Sequence, residues 1–171
     1  MSEPLSVGLL ILRCAVGIVF LAHGYNHIFG GGKIAGTARW FESLGMRPGI
    51  LHAWTASLVE VGAGALLVVG LLTPLAGAGV VGVMLVAWIT NHRTNGFFIF
   101  RPGEGYEYVM TLTLCGLALG ATGGGEQSVD HAIGIFDPPG WTATGLCWAA
   151  GIAGALGLLV VFWRPASKEK S

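Results

Sequence analysis

The stretch Trp54-Thr55-Ala56-Ser57-Leu58-Val59-Glu60-Val61-Gly62-Ala63-Gly64 decides the fold that we expect for this chain. It places one carboxylate, Glu60, near the middle of an apolar run over residues 50–72. A run of this length spans a bilayer, which needs roughly 20 apolar residues. An ionised side chain at mid-membrane costs about 2.5–3.5 kcal/mol even on lenient insertion scales. We therefore expect the other helices to pack around Glu60 and to supply it with a polar partner.

The composition of the whole chain indicates a polytopic membrane protein. Of its 171 residues, 53% are hydrophobic and 11% are charged, with a mean hydropathy of +0.70, whereas a soluble domain carries about 25% charged residues. The 29 glycines fit this class, because small residues let transmembrane helices approach closely. A net charge of zero provides no basic face for a nucleic acid. The three cysteines stand alone within apolar runs, so we expect buried free thiols and no zinc or redox motif.

Apolar segments along the chain predict five membrane-spanning helices. They are residues 5 to about 23, 50–72, 75 to about 90, 106–121 and 141–163. The fourth segment is short for a span. Thr73-Pro74 predicts a tight turn between two helices, because proline is tolerated in the first turn of a helix. Residues 38–44 predict a short amphipathic helix at the membrane interface.

The basic residues predict the orientation in the membrane. In a five-span arrangement, every lysine and arginine except Arg13 falls in connections or a tail on one side. These residues are Lys33, Arg39, Arg47, Arg93, Arg101, Arg164, Lys168 and Lys170. The connections on the other side, which include residues 122–140, carry none. By the positive-inside rule we expect a multi-pass protein of the plasma (inner) membrane with the N-terminus outside and the C-terminus in the cytoplasm.

Arg13, the basic residue inside the first apolar run, is the partner that we expect for Glu60. At 1.5 Å per residue, Arg13 lies about 12 Å and Glu60 about 18 Å from the same membrane surface, and a long arginine side chain covers that difference. Pairing would offset part of the cost of burying both charges. Two interpretations stay open. In the first, the pair only joins two helices. In the second, Glu60 is a proton carrier or a ligand contact, and Glu60 and Arg13 are the candidate catalytic residues.

A second group of polar residues gathers where the helices end on the basic side. It consists of His23, His27, His52, Asn91, His92 and Glu107. Histidine and carboxylate side chains exchange protons near neutral pH, so this group predicts a pocket for a quinone head group. The His-x-x-x-His pair at His23 and His27 would also suit a haem or a metal, which we rank below quinone, and we predict no metal site. Histidines that merely lie at the interface are the alternative without a function.

One motif predicts helix packing and not a nucleotide site. Gly77-Ala78-Gly79-Val80-Val81-Gly82 matches the G-x-G-x-x-G pattern. A dinucleotide site needs a preceding strand and a soluble βαβ unit. Here the pattern lies inside an apolar run, so we expect its glycines to face other helices.

Four pieces of the sequence, taken in order, resemble the DoxX family of small membrane proteins. They are Arg13 through His23-Gly24; Phe41-Glu42-Ser43-Leu44-Gly45; Glu60-Val61-Gly62-Ala63-Gly64 followed by Gly70 and Pro74; and Glu107 followed by Gly123, Gly125, Ser128 and Asp130. The resemblance covers about residues 5–130. The family often has a lysine soon after the His-Gly pair, where this chain has His27.

The resemblance implies an all-α integral membrane helical bundle. A four-helix DoxX-like core would occupy residues 1–130, and a fifth, C-terminal transmembrane helix with a short cytoplasmic tail would occupy residues 131–171. It also implies redox work. Some family members are subunits of thiosulfate:quinone oxidoreductase, and others act with a superoxide dismutase and a thiosulfate sulfurtransferase against oxidative stress. We therefore expect a membrane subunit of a quinone-linked redox or oxidative-stress system that binds quinone or lipid in a polar intramembrane pocket.

Two other functions stay open at this point. The first is a non-catalytic membrane anchor or scaffold that recruits soluble oxidoreductases and needs no cofactor. The second is a small-molecule transporter, which we rank lower because the sequence shows no inverted repeat. Glycine-rich helix faces would also permit a homo-oligomer in the lipid bilayer.

Overall fold

The computed structural model describes residues 2–165 of the chain. The predicted cytoplasmic tail, with Lys168 and Lys170, lies outside the described residues. The described part contains seven α-helices: α1 (Glu3–Phe29), α2 (Lys33–Ser43), α3 (Gly49–Val69), α4 (Thr73–Ala87), α5 (Glu107–Thr122), α6 (Val129–Ile133) and α7 (Trp141–Phe162). A π-helical turn, Trp88–His92, continues α4. The expected amphipathic helix is α2, which begins five residues earlier than residue 38.

Four of these helices are long and apolar enough to cross a membrane: α1, α3, α4 with its π-helical turn, and α7. The all-α membrane bundle is therefore confirmed. The fifth apolar helix, α5, has 16 residues and a length of about 24 Å, which is less than the roughly 30 Å of a hydrocarbon core. A fifth span thus stays a prediction.

Glycines set the closest approaches between the helices. A Cβ atom on Gly17 of α1 would lie 2.8 Å from the carbonyl oxygen of Gly64 on α3. On α4, a Cβ atom on Gly77 would lie 2.6 Å from the carbonyl oxygen of Gly116 on α5. The opposite side of α4 packs against α7, where Gly151 meets the backbone of Ala78. Helix packing, as predicted for the G-x-G-x-x-G pattern, is confirmed at Gly77.

The apolar side chains separate into a core and a lipid-facing surface. Phe20, Leu67, Val80 and Leu119 are completely or almost completely buried where α1, α3, α4 and α5 meet. Large apolar side chains on the outward helix faces remain exposed, among them Val160, of which 75% is accessible. Apolar groups on the outside of a bundle are stable in a bilayer, because the lipid tails are equally apolar.

The connections fall at two ends of the bundle, which we call the N-terminal end and the basic end. At the N-terminal end, Ser6 donates a hydrogen bond to Gln127 over 3.0 Å. At the basic end, Met46 pairs with Trp163, whose indole N–H donates to the carbonyl oxygen of Leu44 over 2.9 Å. The connections thus group as the sequence predicts. The basic residues described at this end are all exposed: Lys33, Arg39, Arg47, Arg93, Arg101 and Arg164.

Candidate functional site

The predicted ion pair between Arg13 and Glu60 is wrong. The guanidinium of Arg13 instead donates to backbone carbonyl oxygens at the end of α3, Leu67 over 2.8 Å and Val68 over 2.5 Å. Its other terminal nitrogen donates to the carbonyl oxygen of Gln127 in the loop after α5. Arg13 is only 2% exposed, and its hydrogen bonds hold the α3 C-terminus against that loop. Its contacts are therefore structural ones at the N-terminal end.

The helix register explains this difference. Because Gly17 and Gly64 are in closest contact on the antiparallel helices α1 and α3, the backbone of Arg13 stands opposite the last turn of α3. Glu60 lies eight residues from that level, or about 12 Å along the helix axis. An arginine side chain does not bridge this separation while it also binds the α3 carbonyl groups.

The polar partner of Glu60 is His27. The Nδ1 atom of His27 and the Oε2 atom of Glu60 are 2.9 Å apart, and the two side chains are 18% and 5% exposed. The contact lacks hydrogen-bond geometry, and neither atom has a hydrogen-bond partner among residues 2–165. An imidazole and a carboxylate at this distance attract each other when the imidazole is protonated. Side chains of these two kinds act as general acids and bases in enzymes.

This pair lies beside a cavity of about 910 Å³, which also opens along the α3, α4 and α7 helices. Ligand pockets in proteins have volumes of roughly 300–1,000 Å³. The polar side chains that line the cavity include five of the six pocket residues that the sequence predicts, together with Glu60 and Tyr108. They are His23, His27, His52, Asn91, His92, Glu60 and Tyr108. The sixth predicted residue, Glu107, does not line it.

His52 lines the cavity and carries a buried nitrogen without a partner. The residue is 3% exposed, and its ring packs near Phe41 and Phe162, with centroid distances of 6.0 and 5.2 Å. Its Nε2 atom has no hydrogen-bond partner within the described part of the chain. A buried polar atom left unpaired costs about 1–3 kcal/mol. A ligand in the cavity would bond to this nitrogen once the ring or its neighbours move, because the atom is closed to water-sized molecules in the structure.

The π-helical turn positions His92 and Asn91. Nδ1 of His92 lies 2.9 Å from the carbonyl oxygen of Glu104, and Nε2 lies 3.2 Å from the Asn91 side-chain nitrogen. Because an amide nitrogen donates, Nε2 accepts and Nδ1 carries the proton. These bonds fix the ring of His92 and tie the loop after α4 to the rim of the cavity.

Tyr108 is a site residue that the sequence interpretation missed. Its hydroxyl oxygen lies 3.5 Å from Nε2 of His23, and the two rings are stacked. A small space of about 10 Å³ lies between these residues and Glu60, which is near the volume that one water molecule requires. The sequence prediction selected Glu107 instead. Neighbouring residues on a helix point about 100° apart, so choosing the wrong one of two adjacent polar residues changes the face.

The remaining reactive side chains do not add to this site. Cys14, Cys115 and Cys147 are free thiols. Within residues 2–165, no group of three or more histidine, cysteine or acidic side chains is arranged to hold a metal ion.

Comparison with known proteins gives the family. The sequence model of the DoxX family matches residues 8–93, which is just over half of the chain. The chain belongs to the DoxX family. A Bacillus subtilis (strain 168) protein with the name "Putative oxidoreductase CatD" is 29% identical over 119 residues, which cover 70% of this chain and 83% of that relative. No solved structure matched the chain.

The matched region of this DoxX protein contains most of the polar cavity. His27, His52, Glu60 and His92 all fall within residues 8–93. Tyr108 and the whole of α7 lie beyond it. The DoxX region therefore supplies most of the polar groups, and α7 supplies one wall of the cavity.

Proposed function

We propose that this DoxX protein is the membrane subunit of a quinone-linked redox system and that its cavity binds the quinone head group. The observation that carries the proposal is the cavity itself, which is lined by the His27–Glu60 pair and by His52 with its unpaired nitrogen. The name of the Bacillus subtilis relative, which includes the word oxidoreductase, agrees with it.

A quinone has two oxygens that take up protons, and α3 carries two polar side chains, His52 and Glu60, that can bind them. Reduction of a quinone to a quinol takes two electrons and two protons, with one proton added to each oxygen. His52 precedes Glu60 by eight residues on α3, a rise of about 12 Å. A ring with an oxygen at each end can bind between these points, with one oxygen toward His52 and the other toward the His27–Glu60 pair. That pair supplies the proton for the oxygen beside it, and the imidazolium form of His52 supplies the proton for the other oxygen.

Protons would reach Glu60 from the basic end through His23 and Tyr108. His23 is exposed and contacts the Tyr108 hydroxyl, and both residues border the small space beside Glu60. One water molecule there would connect them to the carboxylate. This path would let the His27–Glu60 pair regain its proton after each turnover.

The electrons would come from a soluble oxidoreductase that docks on the basic end. At this end the exposed lysine and arginine side chains outnumber the exposed acidic side chains, Glu42 and Glu104. A surface with a net positive charge attracts a partner of the opposite charge. In this arrangement the partner oxidises the substrate, and the membrane subunit passes protons to the quinone. A sulfurtransferase or a superoxide dismutase, as in other members of the family, would be a partner of this soluble kind.

The test is quinone binding to the purified protein in nanodiscs, followed through tryptophan fluorescence because Trp40 lines the cavity. We expect His52→Ala to weaken binding about tenfold, since the loss of one hydrogen bond of about 1.4 kcal/mol has that effect. Glu60→Gln should slow quinone turnover with the partner more than it weakens binding. His131→Ala is the matched control, because His131 is an exposed residue paired with Asp137 at the N-terminal end. Unchanged binding in His52→Ala together with unchanged turnover in Glu60→Gln would refute the proposal.

A non-catalytic anchor is the second candidate, and the exposed basic residues of the basic end favour it. In this role the protein would hold a soluble oxidoreductase at the membrane and would transfer neither electrons nor protons. Charge reversal at Arg39 and Arg101 would then release the partner, whereas His52→Ala and Glu60→Gln would leave the activity of the complex unchanged. Loss of turnover in the cavity variants, with the partner still bound, would exclude the anchor.

A further inference from the structure

The cavity is much longer than a quinone ring. Thr90 and Leu75 both line it, and these two residues of the α4 segment are 15 positions apart, which corresponds to about 22 Å. The cavity therefore runs from the polar groups near the basic end most of the way toward the N-terminal end. A head group bound near His52 and Glu60 would fill only one part of this length.

The remaining length is an apolar groove with α4 as its floor and α3 and α7 as its walls. Both wall helices pack against α4. Small or aliphatic residues line the groove: Val59 and Leu66 on α3, Gly79 and Gly82 on α4, and Gly154 and Leu158 on α7. Side chains of this kind offer no hydrogen bonds, so they suit a hydrocarbon chain and nothing more polar.

The groove is open toward the lipid. Gly62, Leu75 and Gly154 line it and are also exposed on the outer surface of the bundle. A ligand that dissolves in the bilayer can therefore enter sideways, with its head group moving toward the buried nitrogen of His52. The continuity of the groove with this buried polar end indicates one ligand with a polar head and an apolar tail.

We infer that the groove binds the polyisoprenoid tail of the quinone, so that the protein selects long-chain over short-chain quinones. This inference rests on the proposed function and adds the substrate class. Lateral access supports it, because long-chain quinones are confined to the bilayer. The groove then contributes burial of apolar surface, while the head group provides the hydrogen bonds that fix the position of the ring.

Gly154 permits a direct test. A Cβ atom on Gly154 would meet nothing within 4 Å, so Gly154→Leu should fold normally while its side chain fills the groove. Gly145→Leu is the matched control. A Cβ atom there also meets nothing within 4 Å, and nine residues of helix place Gly145 on the opposite face of α7.

The experiment compares two quinones that share one ring, with a ten-isoprene and a one-isoprene tail, in phosphatidylcholine nanodiscs at equal mole fractions. We expect the wild-type protein and Gly145→Leu to bind the long-chain quinone at least tenfold more tightly than the short-chain one. Gly154→Leu should remove this preference and leave short-chain binding within twofold of wild type.

The other possible results contradict either the tail groove alone or the tail groove together with the proposed function. Equal affinity of the wild-type protein for both quinones, or equal weakening of both by Gly154→Leu, would contradict the tail groove and leave the quinone head site intact. A co-purified phospholipid that the long-chain quinone does not displace would assign the groove to lipid and refute the inference. If neither quinone binds the wild-type protein, both the proposed function and the inference are wrong.

Discussion

Arg13 is buried without an acidic side chain as its direct partner because it donates hydrogen bonds to the free carbonyl groups at the end of a helix. The last carbonyl groups of an α-helix lack partners within the helix and carry partial negative charge, and Arg13 donates to Leu67 and Val68 at the end of α3. Asp130, which is 0% exposed, accepts hydrogen bonds from the backbone N–H groups of Leu72 and Thr73, over 2.7 and 2.8 Å, at the start of α4. Two buried charges of opposite sign thus stabilise the two sides of one turn.

We predict that Arg13→Gln destabilises the protein. Glutamine cannot reach all three carbonyl groups, and each buried group left unpaired costs on the order of 1–3 kcal/mol. Thermal unfolding in detergent should show a clear decrease in Tm relative to wild type. Arg101→Gln, which changes an exposed arginine at the basic end, is the control and should unfold like wild type. An equal Tm for the two variants would contradict the structural role of Arg13.

Asp130 should be coupled energetically to Arg13. Asp130→Ala removes the cap of α4, which costs about 0.5–2 kcal/mol. Asp130 is also close enough to interact electrostatically with the Arg13 guanidinium, so the double variant with Arg13→Gln should differ from the sum of the single variants by at least about 0.5 kcal/mol. Unfolding midpoints of the four proteins measure this coupling. Strictly additive changes would show that the two residues act independently.

The identity of the buried polar residues follows from the sequence, but their pairing does not. Glu60 stands out because an apolar run contains few charges, and the same argument identifies Arg13. Depth counted from an assumed helix start does not give the register between two helices. That register depends on which glycines meet, and the contact between Gly17 and Gly64 selects His27 as the partner of Glu60.

Helices α1 and α3 pack closely against each other because glycines lie at their contact. Gly17 meets Gly64, and about two turns further on Gly24 meets the backbone of Ser57 and Val61. Close backbone contact of this kind is typical of transmembrane helix pairs, since small residues remove the steric barrier between them. The position of His27 beside Glu60 depends on this packing.

We predict that Gly17→Ala separates α1 from α3. The new Cβ atom would lie 2.8 Å from a backbone oxygen, which the helices relieve only by moving apart, at a cost of about 1–3 kcal/mol. The Tm should decrease, and quinone binding should weaken as His27 moves relative to Glu60. Gly8→Ala on the same helix meets nothing within 4 Å and should leave both properties unchanged. If the two variants behave alike, the close contact does not set the register.

The helices themselves follow largely from the hydropathy of the sequence, whereas their local irregularities do not. The apolar segments gave the approximate positions of α1, α3, α4, α5 and α7, and the residues around Arg39 gave α2. The π-helical turn Trp88–His92 was not predicted, because one extra residue in a helical turn leaves the hydropathy pattern unchanged. Helix α6 was also missed within its glycine-rich loop, although Ser128 caps it by accepting from the N–H of His131 over 3.2 Å.

At the scale of the whole molecule, the two ends of the bundle should face opposite sides of the membrane, with the basic end in the cytoplasm. The test of this topology starts from a variant in which alanine replaces the three native cysteines. Thr94→Cys at the basic end should react with a membrane-impermeant thiol reagent only in permeabilised cells. Ala132→Cys at the N-terminal end should react in intact cells. Both positions are exposed, and labelling of both from one side would contradict the topology.

The cavity belongs to the whole molecule and could not be predicted as a shape. The sequence predicted most of its polar residues, because histidines near helix ends on one side must lie at similar depths. It did not give the apolar groove, because the gap between α3 and α7 depends on how both helices lie against α4. The opposite charges of Arg13 and Glu60 also predicted a single polar centre. The structure instead has two polar clusters at different depths, one around Arg13 and one around Glu60.

The most direct test of the central claim is the quinone content of the purified protein. Organic extracts of the detergent-purified wild-type protein and of His131→Ala, analysed by chromatography with oxidised-minus-reduced spectra, should contain close to one long-chain quinone per chain. Extracts of His52→Ala should contain much less at the same protein concentration. A wild-type protein that retains no quinone, and binds none when a long-chain quinone is added in nanodiscs, would contradict the account.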